Sequence, residues 1–500
     1  MLPSSSSQPI TVVLIALYKY QNFSVRTMHT LLENIEGVDP HTIFFKNHFT
    51  NDIKYPTANE EELFAEKIRE LNPNLVGLSV LSPYVAIAKR LTQIVKKNSS
   101  ASIVWGGIHP TLSPETCIEE ADLVCLGEGE GALADLVQTL RDGKDDLPIA
   151  NLWSKNNGHI KKNPMRPLIQ DLDAIPFPAY ARDSFYFIGA DKIIQNDPTI
   201  LEPILAIMPA RGCPFMCSYC VNSLLRPKYK GLGHFNRRRS VPNVIDELKE
   251  SLAIPGNQKK IVEFHDENFG IDETWLSEFE KLYPKEIGLP FKVQYNPTLV
   301  KPSTIGRLVK SGLHRAKFGI EAGTDQIRNQ VFKRPGKNSK IIKLAHEIAK
   351  YDVKIRYDLI MDIPYDTEDT LKETIELLLA LPKPLHFNLY SLQYFPDYPL
   401  THRALSDGHI KAEEAHLDTL AQRLFRTWGY APKLFPFTKR QMLQNIIWLI
   451  AFGHTTDAIV KDAVLQDSLL AKIKFIYLNL KSVLWGKIRE IKRVMNKKIA

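Results

Sequence analysis

Along the first 145 residues, short continuous apolar runs alternate with stretches whose apolar residues recur every three to four positions. The runs at 11–17, 42–45, 75–80, 103–105 and 123–126 are rich in Val, Ile, Leu and Phe and end at turn-forming residues, as strands buried on both faces do. Between them, 25–34, 60–71, 85–97 and 131–141 place apolar residues on one helical face. Strand and helix in this alternation predict a doubly wound parallel sheet, an α/β fold. Ligands of such sheets collect at the carboxyl ends of the strands. Those ends read Tyr18-Lys-Tyr-Gln-Asn22, Ser79-Val-Leu-Ser82, Gly106-Gly-Ile-His-Pro110 and Gly127-Glu-Gly-Glu130.

The pattern changes after residue 145. Gly143, Asp145, Asp146, Asn156, Asn157, Gly158, Pro164 and Pro167 precede Asp171-Leu-Asp-Ala-Ile-Pro-Phe-Pro178. Turn formers at that density rule out long helices and predict a connector, 146–200, running over the surface between two domains. Strand-like runs resume at 204–208, 261–264, 292–295, 317–320, 355–361 and 387–389, and 413–428, 439–452 and 459 to the end look helical. The apolar run 446–452 is far short of the about 20 residues that span a bilayer, so it reads as a buried helix or a surface that meets something apolar. A chain of 500 residues exceeds what one core usually organises.

Five cysteines in 500 residues, with no signal-peptide pattern, suggest a reduced, cytoplasmic chain. Cys117 and Cys125 read as small core residues. Cys213, Cys217 and Cys220 have C-x3-C-x2-C spacing, which lets three thiolates hold three irons of a 4Fe-4S cube and leaves the fourth iron open. Zinc would require a fourth nitrogen or sulfur ligand, and His234 and His265 do not stand at finger-like spacing.

This cysteine pattern, with Tyr219 before the third thiol, resembles the radical S-adenosylmethionine (SAM) superfamily. The four loops of the first 145 residues, taken together, resemble the cobalamin-binding domain of the B12-dependent branch, and 171–178 resembles its linker. The resemblance implies a Rossmann-like cobalamin-binding domain at 1–145, a linker at 146–200, a partial (β/α)6 TIM-like radical SAM core at 201–410 and a C-terminal helical region at 411–500. It implies three cofactors: a 4Fe-4S cluster on Cys213, Cys217 and Cys220, SAM, and cobalamin. By the same resemblance Glu321 lies near the ribose or methionyl part of SAM. Asp266, Glu267 and Asn268 lie near its amino group, with Tyr219 also at the cofactor, and Asp358, Asp362 and Pro364 flank the adenine. Ser79, Ser82, Gly106, Gly107, Gly127, Glu128, Gly129 and Glu130 would hold the corrin and its nucleotide tail. Asp39-Pro-His41 opens like the D-x-H-x-x-G motif that supplies a lower cobalt ligand, but Phe44 stands where glycine is needed. His41 is therefore expected at a turn or surface, and cobalamin base-off with no histidine beneath the metal.

Two enzyme readings follow from the resemblance. One is a methyltransferase acting on an unactivated carbon; the other is an oxidative cyclase or rearrangement enzyme, for a tetrapyrrole-type substrate, without net methyl transfer. A methylthiotransferase would carry three further cysteines in its N-terminal domain. A cobalamin carrier would not need the three clustered thiols. The substrate is expected to be a small molecule or a lipid, and the electron donor a protein such as flavodoxin or ferredoxin. The net charge of +8 sits entirely in the tail, where residues 471–500 hold nine Lys or Arg and one Glu interleaved with apolar residues. Such a tail either packs its apolar stripe on the barrel or makes peripheral contact with an anionic membrane surface. Nucleic acid is not an expected partner, because the tail is highly apolar and the rest of the chain is neutral.

Overall fold

The structure, a computed structural model, describes residues 9–47, 54–143, 148–156, 158–416, 429–433, 438–453 and 460. Nine strands build the first sheet: β1 (Ile10–Leu17), β2 (Val38–Phe45), β3 (Leu75–Ser79), β4 (Ser102–Gly106), β5 (Leu123–Cys125), β6 (Leu152–Asn156), β7 (His159–Lys162), β8 (Phe185–Gly189) and β9 (Lys192–Gln195). Their order is β7-β6-β5-β4-β3-β1-β2-β8-β9. The six from β5 to β8 run parallel, and the outer pairings are antiparallel. Val13, Ile15, Ile43, Phe45, Val76 and Ile103 are buried on one face, and Val12, Leu14, Phe44 and Val104 on the other. The strand order reverses between β1 and β3, which opens a crevice outside their carboxyl ends.

The expected surface connector is the main correction to the architecture. Residues 152–195 supply four strands, so both edges of the first sheet come from the stretch read as linker. Proline and turn formers there exclude helices, but they do not exclude short edge strands. Trp153, Phe185, Tyr186 and Ile188 give those strands buried faces. The outermost strand β7 is exposed throughout and ends in Lys161 and Lys162, which discourages pairing with another chain. His41 also departs from expectation: it lies inside β2, paired with Val13, its Nε2 3.0 Å from Asp39 Oδ2 and its ring stacked near Tyr186.

The second sheet is β10 (Ile204–Ile207), β13 (Ile261–Phe264), β14 (Phe291–Tyr295), β15 (Leu313–Glu321), β16 (Lys354–Met361) and β17 (Phe387–Ser391), all parallel and in that order. A two-stranded ribbon, β11 (Ala210–Arg211) with β12 (Arg237–Arg238), follows β10. Helices including Val241–Leu252, Glu273–Glu286, Pro302–Lys310, Asn338–Ile348 and Glu368–Ala380 cover the barrel's outside, each separating consecutive strands or the ribbon from the next strand. An aromatic group of Phe264, Phe269, Phe279, Tyr283 and Phe291 fills the layer between β13, β14 and the Glu273–Glu286 helix. The Lys439–Ala451 helix packs on Glu368–Ala380 and buries Ile446, Ile447, Leu449 and Ile450, so the short apolar run is core. Residues 417–428, 454–459 and 461–500, including the basic tail, lie outside the described residues. No helix among the described residues is long and apolar enough to cross a membrane.

Candidate active site at the domain junction

The cysteine loop leaves β11 at Arg211 and turns at Gly212, whose φ of +88° admits a side chain poorly and whose Cβ would collide with Phe235 O. Ser218 pins the loop from inside: its N–H donates to Phe332 O (2.9 Å), its hydroxyl to Val331 O (2.7 Å), and its carbonyl accepts from Leu400 N (3.0 Å). Cys213 and Cys217 are buried and Cys220 is half-buried. Each thiol meets a different nitrogen donor: Asn268 Nδ2 lies 3.8 Å from Cys213 Sγ, Arg334 Nη1 3.9 Å from Cys217 Sγ, and Asn222 Nδ2 3.8 Å from Cys220 Sγ. Burial pushes the Cys213 thiol up to about 11 and Cys220 to about 12; it raises Cys217 as well, against the pull of Arg334. Among the described residues no three His, Cys, Asp or Glu side chains close on a single ion. In a 4Fe-4S cube each thiolate would serve a different iron, and hydrogen bonds to sulfur would tune the cluster.

Glu321 ends β15 where the register with β16 shifts, and its backbone takes φ +65°, a conformation non-glycine residues seldom adopt outside constrained sites. Burial pushes its carboxyl up to about 7, against the pull of Arg334. Arg334 joins the parts: Nη1 reaches Cys217, Nη2 donates to Gly319 O (2.9 Å), and its charge acts on Tyr219 and Glu321. Tyr219 packs on Phe332 with ring centroids 4.6 Å apart. The three residues after β13 separate in role. Asn268 bridges Cys213 and Asn296 N, Glu267 is exposed with its charge felt at Cys213 and Cys220, and Asp266 is buried in an ion pair with Arg238 (2.5 Å). Asp358 pairs with Lys317 (2.8 Å), and Asp362, at φ +59°, accepts from the Ser391 hydroxyl (2.7 Å).

At the crevice of the first sheet, Ser79, Gly106, Gly107, Gly127 and Gly129 line a cavity floored by Leu14, Val25, Met28 and Leu133. Gly107 has φ +105°, and a Cβ there would sit 3.0 Å from Val80 O. The small residues thus keep open an apolar slot at the strand ends. Ser79 Oγ accepts from Asn22 Nδ2 (3.3 Å), and Ser82 Oγ lies 3.1 Å from His109 Nδ1. Burial lowers His109 to about 4 and leaves its Nε2 without a hydrogen-bond partner.

The carboxylates of the fourth loop point elsewhere. Glu128 accepts from Arg211 Nη1 (2.9 Å), Arg237 Nη1 (2.9 Å) and Ile169 N (2.9 Å), and Glu130 accepts from Arg211 Nη2 (2.6 Å). Burial alone would raise the Glu128 carboxyl; Arg237 and Arg211 overcome it and hold it below the usual range. Arg211 stands two residues before Cys213, so this clamp ties the glycine-lined slot directly to the cysteine loop. Sequence reasoning missed Arg211 and Arg237, which meet their carboxylates across the two domains, and Arg238 and Arg334, which meet theirs and the thiol from separate parts of the barrel. The one available signal was Arg211 next to Gly212-Cys213.

Residues 43–137 match the family model for the B12 binding domain, and residues 207–378 match that for the radical SAM superfamily. An uncharacterized methyltransferase of Pyrococcus horikoshii is 28% identical over 342 residues, 66% of this chain and 70% of that protein. An anaerobic magnesium-protoporphyrin IX monomethyl ester cyclase of Rubrivivax gelatinosus is 26% identical over 350 residues, 67% of this chain but only 58% of the cyclase. The fold is shared with the radical SAM methyltransferase TsrM of Kitasatospora setae, whose solved structure has cobalamin and an iron-sulfur cluster bound: TM-score 0.63 at 17% identity, covering 80% of this chain and 78% of that one. The chain thus joins a B12-binding domain to a radical SAM domain.

Proposed function

We propose that the protein is a cobalamin-dependent radical SAM methyltransferase acting on an unactivated carbon. The observation that carries this reading is the clamp of Glu128 and Glu130 on Arg211, which holds a glycine-lined slot against a loop of three thiols, each facing its own nitrogen donor. When bound, the cluster supplies an electron for cleaving SAM to a carbon radical and the corrin supplies a methyl group. Cys213, Cys217 and Cys220 would hold the cluster. Asn268, Asn222 and Arg334 donate to the three sulfurs, and Arg334 balances the buried charge of Glu321 beside them. Gly106, Gly107, Gly127 and Gly129, with Ser79 and Ser82, would line the corrin side. An electron donor such as flavodoxin or ferredoxin and a reducing, cytoplasmic compartment follow from the cluster chemistry, and all five cysteines are free. The match to the cyclase supports a second reading, radical chemistry on the same cofactors without net methyl transfer. Anaerobic incubation of reconstituted protein with SAM, cobalamin, reductant and cell extract separates them. The methyltransferase gives deoxyadenosine and a product heavier by one CH2. Deoxyadenosine with a product lacking the added carbon would select the second reading.

A further inference from the structure

Inward-facing side chains of the barrel change sign along its axis. Strand register places Lys292 beside Arg315 and Arg315 beside Lys354, and one layer higher Gln294 beside Lys317 and Lys317 beside Arg356. Above these lie Asp358 beside Asn388, and then Glu321 at the mouth. The two lower layers line a cavity of about 480 Å³ in which five cationic side chains face a single lining carboxylate, Glu263. Lys292 is paired with Glu263 (2.7 Å), and Lys317 with Asp358 (2.8 Å) from the layer above. Among the described residues, Arg315, Lys354 and Arg356 have no carboxylate within ion-pair distance. Like charges directly opposite one another on neighbouring strands destabilise a sheet. Arg315, Lys354 and Arg356 are exposed to solvent, so this end of the lumen is open to a soluble anion, which would relieve the repulsion between them. The 471–500 tail, itself basic, does not complement it.

We propose that the lower lumen holds the anionic end of the substrate, a multiply charged oxyanion such as a phosphoryl group or clustered carboxylates. Lys317 and Glu321 lie four residues apart on one strand, about 13 Å at the usual rise per residue. The substrate is therefore elongated, with its anionic group in the cationic layers and its reacting carbon about that far away at the mouth; placing the carbon there rests on the enzyme reading above.

Equilibrium titration of reconstituted full-length protein with inorganic pyrophosphate, and separately with citrate, tests the site. Saturable binding of either is expected, pyrophosphate assigning a phosphoryl group and citrate assigning carboxylates. The double variant Arg315→Gln, Arg356→Gln should bind at least about tenfold more weakly, as expected for lost charge-assisted hydrogen bonds. Arg315→Lys with Arg356→Lys should retain binding. In the wild type, pyrophosphate or citrate should slow phenylglyoxal modification of Arg315 and Arg356, which reads the site without any variant. Binding of neither anion, equal binding by the Gln variant, or no protection of the two arginines would overturn the proposal. Deoxyadenosine formation from SAM by the wild type is measured in parallel. Its absence with anion binding intact defeats the radical SAM reading alone, and its presence without anion binding defeats the anion site alone.

Discussion

At the first sheet, the loops facing the crevice offer glycines, Ser79 and an apolar floor, and the carboxylates of that region turn away to arginines of the other domain. At the barrel mouth the reverse holds. Three thiols, Glu321, Arg334, Asp266 and Arg238 are packed into one half-buried network, with cations beneath. The difference is one of work. A slot for a large preformed ring needs room and little charge, and room comes from residues without side chains. A site that handles electrons and charged cofactors must satisfy every buried ion, so its residues come in pairs drawn from separate strands.

The largest expected effect separates the two regions outright. Cys217→Ala should reduce reconstituted iron from about four per chain to a small remainder and abolish deoxyadenosine formation, while hydroxocobalamin binding stays at the wild-type level. Iron analysis and visible titration check both halves. A variant that keeps its full iron breaks the assignment. The converse variant is Gly106→Val, which has room for a Cβ, its nearest neighbour being Cys125 Cβ at 3.7 Å, but pushes two methyls into the slot. Overpacking of about 1–3 kcal/mol should weaken corrin binding about tenfold or more, with iron content and deoxyadenosine formation unchanged. Equal loss of both cofactors would mean the two regions are not separable.

The same contrast explains what the chain reveals before it folds. Glycine after a buried strand, as in Gly106-Gly107 or Gly127-Glu-Gly129, is written locally, because the strand, the turn and the missing side chain are sequence neighbours. Eleven of the twelve parallel strands that carry the two sites coincide with strand-like runs legible in the sequence, the exception being β8, hidden in a proline-rich stretch. Arg334 and Arg238 carry no such mark. Each acquires meaning from a thiol or carboxylate far away in sequence, 117 residues in the case of Arg334 and Cys217. The edge strands β6, β7 and β9 were illegible for another reason: half-exposed strands show neither a continuous apolar run nor a strict alternation.

The clamp between the regions gives an intermediate effect. In Glu128→Gln the Arg211 and Arg237 guanidiniums lose an ionised partner where neither is well solvated. The expected loss is about 2–3 kcal/mol, the range for charged hydrogen bonds with a buried donor left wanting. Because the folded-state Glu128 value is depressed, its stabilisation is fully present above the ordinary value of 4.5 and is lost as pH falls through the lower folded value. Wild type should therefore lose more stability than Glu128→Gln between neutral and acid pH. Denaturant melts of both proteins at several pH values measure it, and parallel curves would show that the clamp contributes nothing ionic.

The smallest effect belongs to His41. A ligand reaching cobalt beneath the corrin must stand at a strand's carboxyl end, but His41 lies inside β2, four residues before its last residue Phe45 and about 13 Å down the strand. Its Nε2 is already engaged with Asp39, and its ring stacks at 6.0 Å from Tyr186 on β8. His41→Ala should leave the visible spectrum of bound hydroxocobalamin base-off and unchanged, and should lower stability by no more than about 1 kcal/mol, as expected for a lost aromatic contact in a partly exposed place. A spectral shift on losing this histidine would mean that β2 rearranges when the corrin binds, and that the first sheet also supplies charge-bearing chemistry to its cofactor.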